Sequence, residues 1–472
     1  MMHGHAGSGA APQEYGVCWA GCTRRVFLRL SALIGAAVGG AMSGGMARPL
    51  PSSEAFTAGA LPSFTLGPMC GDVTQDGALI WARGSAPAGL AVELSTSRDF
   101  RNPVYPPSQL LSEESDFTCK VSAEGLQPGT RYYYRVALGR PEEPAEAIFA
   151  RARAARTAHL PTAMFVTAPE PDTSAPVRFT WGGDLGAEYR PFRIVDALAR
   201  LQPDFHIMLG DTIYADQGWP AIDLDGFRRK YHETLSDPFI RRLQQVTSIY
   251  AIWDDHEVVN DFDSTCPLLP VGRQAFFEYW PIRRSGEDPN RLYRSFRWGK
   301  LAELFILDTR QYRSPLSMPD GPVKTMLGLD QARWLRRMLR ESDAVFKFVI
   351  SSGPLRFAHS DTWPYYSFEQ DALLRFIVQG GIENVIVLAG DVHHAAVANH
   401  PEGVIGVSAG PLGHRNHSSA HLRDLPEIEF AYDGGVNFGM VQVEVAGGRP
   451  IAHIEIRDLA GTPLFRKSVP AA

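Results

Sequence analysis

Between about Leu66 and Phe165, apolar and polar residues alternate in short runs punctuated by Gly and Pro: GALIWARG (77–84), AVELSTS (91–97) and FTCKVSAEGLQPGTRYYYRVAL (117–138). Successive side chains of a strand point to opposite faces, so this period of two predicts a small antiparallel β-sandwich spanning 48–166. TAPEPDTSAP (167–176) then reads as a linker, because each proline fixes its own φ and withholds a donor from any ladder. Past the linker the period changes. VRFTW (177–181), DFHIMLG (204–210), SIYAIW (248–253), AELFILD (302–308), KFVIS (347–351) and NVIVLAG (384–390) are apolar at consecutive positions, as strands covered on both faces must be. PFRIVDALARLQ (191–202), LDQARWLRRMLRES (329–342) and DALLRFIVQG (371–380) repeat at helical spacing between them. The region 177–472 is therefore expected to be an α/β (α+β) domain whose ligands gather at the carboxyl ends of its strands.

Composition supports a folded, soluble chain: 472 residues, 44% hydrophobic, are enough for two ordinary domains. The formal charge is −6; residues 1–47 hold three arginines against one glutamate, +2, so the remainder carries −8. An acidic body argues against a nucleic-acid-binding surface, which needs basic residues. TRRVFLRL (23–30), followed by the weakly apolar SALIGAAVGGAM (31–42) and the small residues GGMA ending at Ala47, resembles a twin-arginine export signal. That resemblance implies the twin-arginine translocase as a partner, removal of 1–47, and a periplasmic or secreted protein folded before export. The competing reading, a transmembrane anchor, would want about 20 strongly apolar residues, and no later stretch is long enough for a stable membrane span. Cys18 and Cys22 leave with the signal. Cys70, Cys119 and Cys266 lack metal-knuckle spacing, and a Cys70–Cys119 bridge is the pairing left open.

The chemistry stands at the strand ends. VRFTW runs into GGDLG with Asp184, DFHIMLG into DTIYAD with Asp211 and Tyr214, SIYAIW into DDHEVVND with Asp254, Asp255, His256, Glu257, Asn260 and Asp261, and NVIVLAG into DVHH with Asp391, His393 and His394. A lone Asp in such a place is usually a cap or turn former. Four ends with the same chemistry are another matter: gathered acids repel one another and resist desolvation unless positive charge lies among them. Oxygen ligands with few nitrogens and no thiolate suit hard cations.

These motifs are similar to those of calcineurin-like metallophosphoesterases. Asp184 with Gly186 resembles the DxG motif, and GDTIY (210–214) the GDxxY motif, of purple acid phosphatases. WDDHEVVND (253–261), LDTRQYRS (307–314) and AGDVHHA (389–395) resemble the alkaline phosphatase D family, which also has a fibronectin III-like domain and a twin-arginine signal; GLQPGTRYYYRV (125–136) looks like part of such a domain. The resemblance implies a sandwich of two mixed sheets flanked by helices, preceded by a small β-sandwich. It also implies an exported phosphatase or phosphodiesterase in which two or more metal ions activate water against phosphate mono- or diesters. Asp184, Asp211, Tyr214 and His393 would hold the first metal, with Asp211 bridging to a second completed by Asp391 and by Asp255 or Asn260. His256 would face the phosphate and leaving group, and Arg310 and Arg313 could fork onto the phosphate oxygens, unless they make structural ion pairs.

Two departures bear on the metals. GGD (182–184) replaces the cysteine that many alkaline phosphatase D relatives carry, and KFVISSGP (347–354) offers Ser351 and Ser352 where other members place a histidine. A second site nearly all of oxygen favours calcium or manganese, so iron(III) with calcium is the expected pair, manganese the alternative. His206 reads as a core residue, His394 as pointing away from His393, His414 and His417 as loop residues near the site, and Glu257 and Asp261 as loop-orienting. The alternatives weighed are a phospholipase D-like lipid diesterase on the same scaffold and a non-catalytic cell-surface binding protein with structural metals; His256 beside the acids speaks against the latter.

Overall fold

The computed structural model describes residues 62–155, 160–356 and 361–472; the expected export segment, 1–47, lies outside them. The alternating region forms β1 (Phe64–Gly71), β2 (Gly77–Gly84), β3 (Ala88–Ser95), β4 (Gln109–Leu111), β5 (Thr118–Glu124), β6 (Arg131–Gly139), helix α1 (Ala145–Ala154) and β7 (Ala163–Val166). The consecutive-apolar region supplies β8 (Val177–Gly182), α2 (Arg193–Leu201), β9 (Phe205–Met208), α3 (Leu224–Leu235), α4 (Pro238–Val246), β10 (Ser248–Ala251), α5 (Leu269–Tyr279), β11 (Arg294–Trp298) and β12 (Ala302–Ile306). After these come α6 (Gly328–Glu341), β13 (Phe346–Ile350), α7 (Ser367–Gln379), β14 (Val385–Ala389), β15 (Ala395–Asn399), β16 (Ile405–Ser408), β17 (Ile428–Tyr432), β18 (Asn437–Ala446), β19 (Arg449–Asp458) and β20 (Pro463–Pro470).

Two mixed sheets face each other. One runs β20-β19-β18-β8-β9-β10-β1-β2-β5, and the other β11-β12-β13-β14-β16-β15-β17. Phe179 of β8 meets Phe348 of β13 edge-on at 5.2 Å, and Phe205 of β9 lies 4.6 Å from Trp298 of β11, so the inner faces share one core. The consecutive-apolar pattern now has its reason. In β12, β13 and β14, Leu304, Phe348 and Ile386 point into that core, while Phe305, Val349 and Val387 pack outward against Leu335 and Leu339 of α6 and Leu373 and Ile377 of α7. Burying side chains of this kind contributes on the order of 1.5–3 kcal/mol each. Among the described residues no helix is long and apolar enough to cross a membrane.

The β-rich region precedes the two facing sheets, as expected, and is joined to one of them. Only β4-β3-β6-β7 form a separate antiparallel sheet; β1 pairs in parallel with β10 at Gly71 and Ile249, drawing β2 and β5 into the nine-stranded sheet. A Cβ at Gly71 would stand 2.5 Å from the Ile249 carbonyl, so the join needs glycine. The 167–176 stretch lies against the same body: Thr167 and Ala168 are buried, and Lys300 N–H donates to the Thr173 carbonyl at 2.8 Å. The Cys70–Cys119 pairing is ruled out. Cys70 lies on β1 opposite Ile80, Cys119 on β5 opposite Ala82, and β2 separates them. Two strand spacings, about 9.5 Å, exceed the reach of a disulfide, and both thiols are free.

Candidate metal centre

The strand ends converge as the sequence suggests. β8, β9 and β10 are neighbours in one sheet and β14 lies in the other, and each hands its carboxyl end to an acid-bearing loop. The turns that aim these acids are unusual. Asp184, Asp211, Asp391 and His393 have φ of 65°, 48°, 70° and 55°, a left-handed conformation that non-glycine residues seldom adopt and that clusters at functional sites. Gly210, at φ 93°, allows the closest approach: a Cβ there would lie 2.4 Å from the Asp254 amide.

Ligand atoms of Asp184, Asp211 and His393 lie within 4.8 Å of one another, as do those of Asp211, Asp255 and His256, of Asp254, Asp255 and Asp391, and of Asp255, Asp261 and Asp361. His393 Nε2 is 3.6 Å from Asp184 Oδ1 and 3.1 Å from the Tyr214 hydroxyl. The structure thus brings Asp184, Asp211, Tyr214 and His393 into one group, and Asp255 and Asp391 into an adjoining one that shares Asp211 through Asp255. Asn260 is placed differently: it is exposed, and its backbone N–H donates to Asp216 at 2.9 Å. Of the two candidates at that position, Asp255 is the buried one, held by the Asp261 amide at 2.7 Å.

Four carboxylate oxygens here, Asp184 Oδ2, Asp254 Oδ2, Asp255 Oδ1 and Asp391 Oδ2, are buried and accept no hydrogen bond. Each such vacancy in donors costs about 1–3 kcal/mol or more for a charged group. Burial, and then the neighbouring carboxylates, push Asp184, Asp211 and Asp391 well above the usual carboxylate range. A cation reverses both effects, so the donor set fits bound metal. His393 is lowered to about 2 by burial and by His414 and His417, which keeps it in the neutral form that ligates. Among the described residues no cysteine joins these groups, so oxygen dominates and hard cations are favoured.

Several side chains support the ligands, Glu257 as a loop-orienting residue among them. Glu257 accepts the amides of Asp211, Thr212 and Asp254 at 2.8, 2.8 and 2.7 Å, tying the loops after β9 and β10 together. Asp216, the last acid of DTIYAD, accepts from His256 Nδ1 at 2.7 Å. Arg310 and Arg313 lie where the ion-pair alternative put them and not as an open phosphate fork. Arg310 is 2% exposed and pairs with Asp254, with Asp361 and, at 3.7 Å, with Asp255; Arg313 donates to the Asp361 carbonyl at 3.0 Å. Their guanidinium groups hold the acids in place. Ser351 and Ser352, at the end of β13, spend their hydroxyls on the Gly353 carbonyl and on Thr309. His206 is a core residue, bonded to Thr180 at 2.9 Å, and burial lowers it to about 3. His394 packs against His421, away from His393. His414 stacks on Tyr214 with centroids 4.7 Å apart, and His417 stacks on His393 at 4.4 Å.

Two mixed sheets that gather acids and a histidine at their carboxyl ends define a metal-dependent phosphoesterase. Residues 180–419 match the PhoD-like phosphatase model and 51–158 that of the PhoD-like phosphatase N-terminal domain, and the chain belongs to this family of phosphoric ester hydrolases. It is 26% identical over 417 residues to alkaline phosphatase D of Bacillus subtilis (strain 168), covering 74% of this chain and 68% of that one. To purple acid phosphatase 23 of Arabidopsis thaliana it is 32% identical over 307 residues, 61% of this chain and 59% of the relative. The fold matches a solved structure of PhoD with a TM-score of 0.73 at 21% identity, covering 88% and 93% of the two chains. It also matches purple acid phosphatase PPD1 of yellow lupin (Lupinus luteus), with a TM-score of 0.63 at 14% identity over 85% and 74%.

Proposed function

We propose that the chain is an exported alkaline phosphatase or phosphodiesterase that hydrolyses phosphate mono- or diesters at a pair of metal ions. One observation carries this reading: four buried carboxylate oxygens without donors, drawn from three loops, belong to residues that fall into adjoining ligand groups. Asp184, Asp211, Tyr214 and His393 would hold one ion, and Asp211, Asp255 and Asp391, with Asp254 alongside, the other; iron(III) with calcium, or manganese, matches the donors. When bound, the ions supply positive charge against the phosphate and against the charge that develops during displacement.

The chain's own residues do the rest. Glu257 fixes the loops that present Asp211 and Asp254. Arg310 neutralises part of the acid cluster and keeps Asp254, Asp255 and Asp361 from springing apart. Asp216 engages His256 Nδ1 and leaves Nε2 to donate a proton to the departing oxygen. The twin-arginine pair Arg24 and Arg25 supports export of the folded enzyme to the periplasm or beyond.

Asp211→Asn tests the shared ligand. Elemental analysis should show both metals depleted, and turnover of p-nitrophenyl phosphate and bis-p-nitrophenyl phosphate should fall at least a thousandfold. A variant that keeps its metals and its rate would refute the bridging role.

A further inference from the structure

Beside the metal centre, rings form a continuous row whose outer members, His414 and Tyr189, the chemistry above does not use. His256 lies 4.4 Å from Tyr214, Tyr214 stacks on His414 at 4.7 Å and 16°, and His414 meets Tyr189 at 5.0 Å. Along that row exposure rises from 4% at Tyr214 and 8% at His414 to 43% at Tyr189. At the other end His256, itself part-exposed, is the group proposed to face the leaving oxygen; the Tyr189 end is an aromatic face open to solvent. The row is built, not incidental. Gly186 lets the rings close, since a Cβ there would stand 2.6 Å from His414 Cδ2 and 3.0 Å from Tyr189 Cδ2. Arg190 pins the turn behind Tyr189, with Nε on the Ala187 carbonyl at 3.1 Å and Nη2 on Glu233 at 2.9 Å. Glu188, largely exposed, stands 3.9 Å from His414 Nε2.

We propose that Tyr189, seated on His414 and through it on Tyr214, is a specificity-determining platform for the leaving group, selecting phosphate esters of flat, uncharged aromatic or heteroaromatic alcohols. The proposal rests on the phosphoesterase reading of the same centre and adds the substrate class. A rigid aromatic face favours a planar partner over an aliphatic one of similar size by roughly threefold to tenfold. Glu188, in the same turn, disfavours a leaving group that carries further negative charge.

The test uses non-hydrolysable ligands, so that binding is read apart from turnover. With the metal-replete full-length protein, calorimetry should show phenylphosphonate binding about threefold to tenfold more tightly than methylphosphonate; Tyr189→Ala should bring that ratio close to one, and Tyr189→Phe should preserve it. In steady state, the ratio of kcat/KM for phenyl phosphate to that for glycerol phosphate should fall by the same factor in Tyr189→Ala, and through KM. Equal binding of the two phosphonates by the wild type, or equal weakening of both in Tyr189→Ala, would overturn the platform even in an active enzyme. A protein that discriminates between the phosphonates as expected yet hydrolyses no ester would uphold the platform and overturn the phosphoesterase reading.

Discussion

His256 keeps its proton because of its neighbours. Burial would strip it, but Asp255 and Asp216 outweigh burial and hold the pKa up to about 9. In the metal-free protein a group raised above its unfolded value contributes stability that is complete below about 6.5 and lost as pH rises through about 9. In the proposed role, the proton that His256 would offer to the leaving oxygen is lost in the same direction. Asp216→Asn removes one of the two supporting charges and is expected to shift the alkaline limb of kcat/KM to lower pH and cut kcat roughly tenfold, with metal content unchanged. A pH–rate profile with the limb in its original place would separate Asp216 from His256. Residues such as Asp211, Tyr214, Asp391 and His393 were legible because each directly follows an apolar run. Asp361 was not, since it follows no strand and reaches the site through Arg310, 51 residues away in sequence. The direction of Arg310 was equally hidden: composition announces a cation, but only packing decides whether it faces substrate or three acids.

Glu257 joins two elements, since the loops after β9 and β10 both donate amides to it. Glu257→Gln would set a side-chain N–H against those donors. Burial raises Glu257 to about 8; above that pH, where it is ionised and hydrogen bonds to a charged group contribute about 1.5–3 kcal/mol, denaturant unfolding of the metal-free protein should show a loss of about 2 kcal/mol, and titration should show weaker metal binding. Unchanged values would mean the loops hold their shape without it. Strands buried on both faces, such as β12, β13 and β14, were readable because consecutive apolar positions leave little choice. Alternation said less. It marks one dry face but not which strand joins an edge, and so the β-sandwich ahead of the two-sheet body was readable while the pairing of β1 with β10 was not. The sulfurs of Cys70 and Cys119 were kept in play by the same gap, because GALIWARG reads as a strand but its place between β1 and β5 is not written in the sequence.

For the whole molecule, the β1–β10 junction makes the two halves interdependent. A fragment limited to 177–472 would bare one edge of β10 together with the apolar surface that β1 and β2 cover. It is expected to be largely insoluble, or to melt well below the full chain, as soluble yield and thermal unfolding would reveal. A monomeric, fully active fragment would show that the shared sheet is dispensable. A related constraint comes from the opposite side of β8, where Thr180 pairs with Met440. On the ribosome that partner emerges some 260 residues after β8, so a nascent chain carries Asp184 at the end of a half-paired strand through most of its synthesis. Cation loading is accordingly expected only after β18 has paired with β8, late in synthesis or once translation has ended.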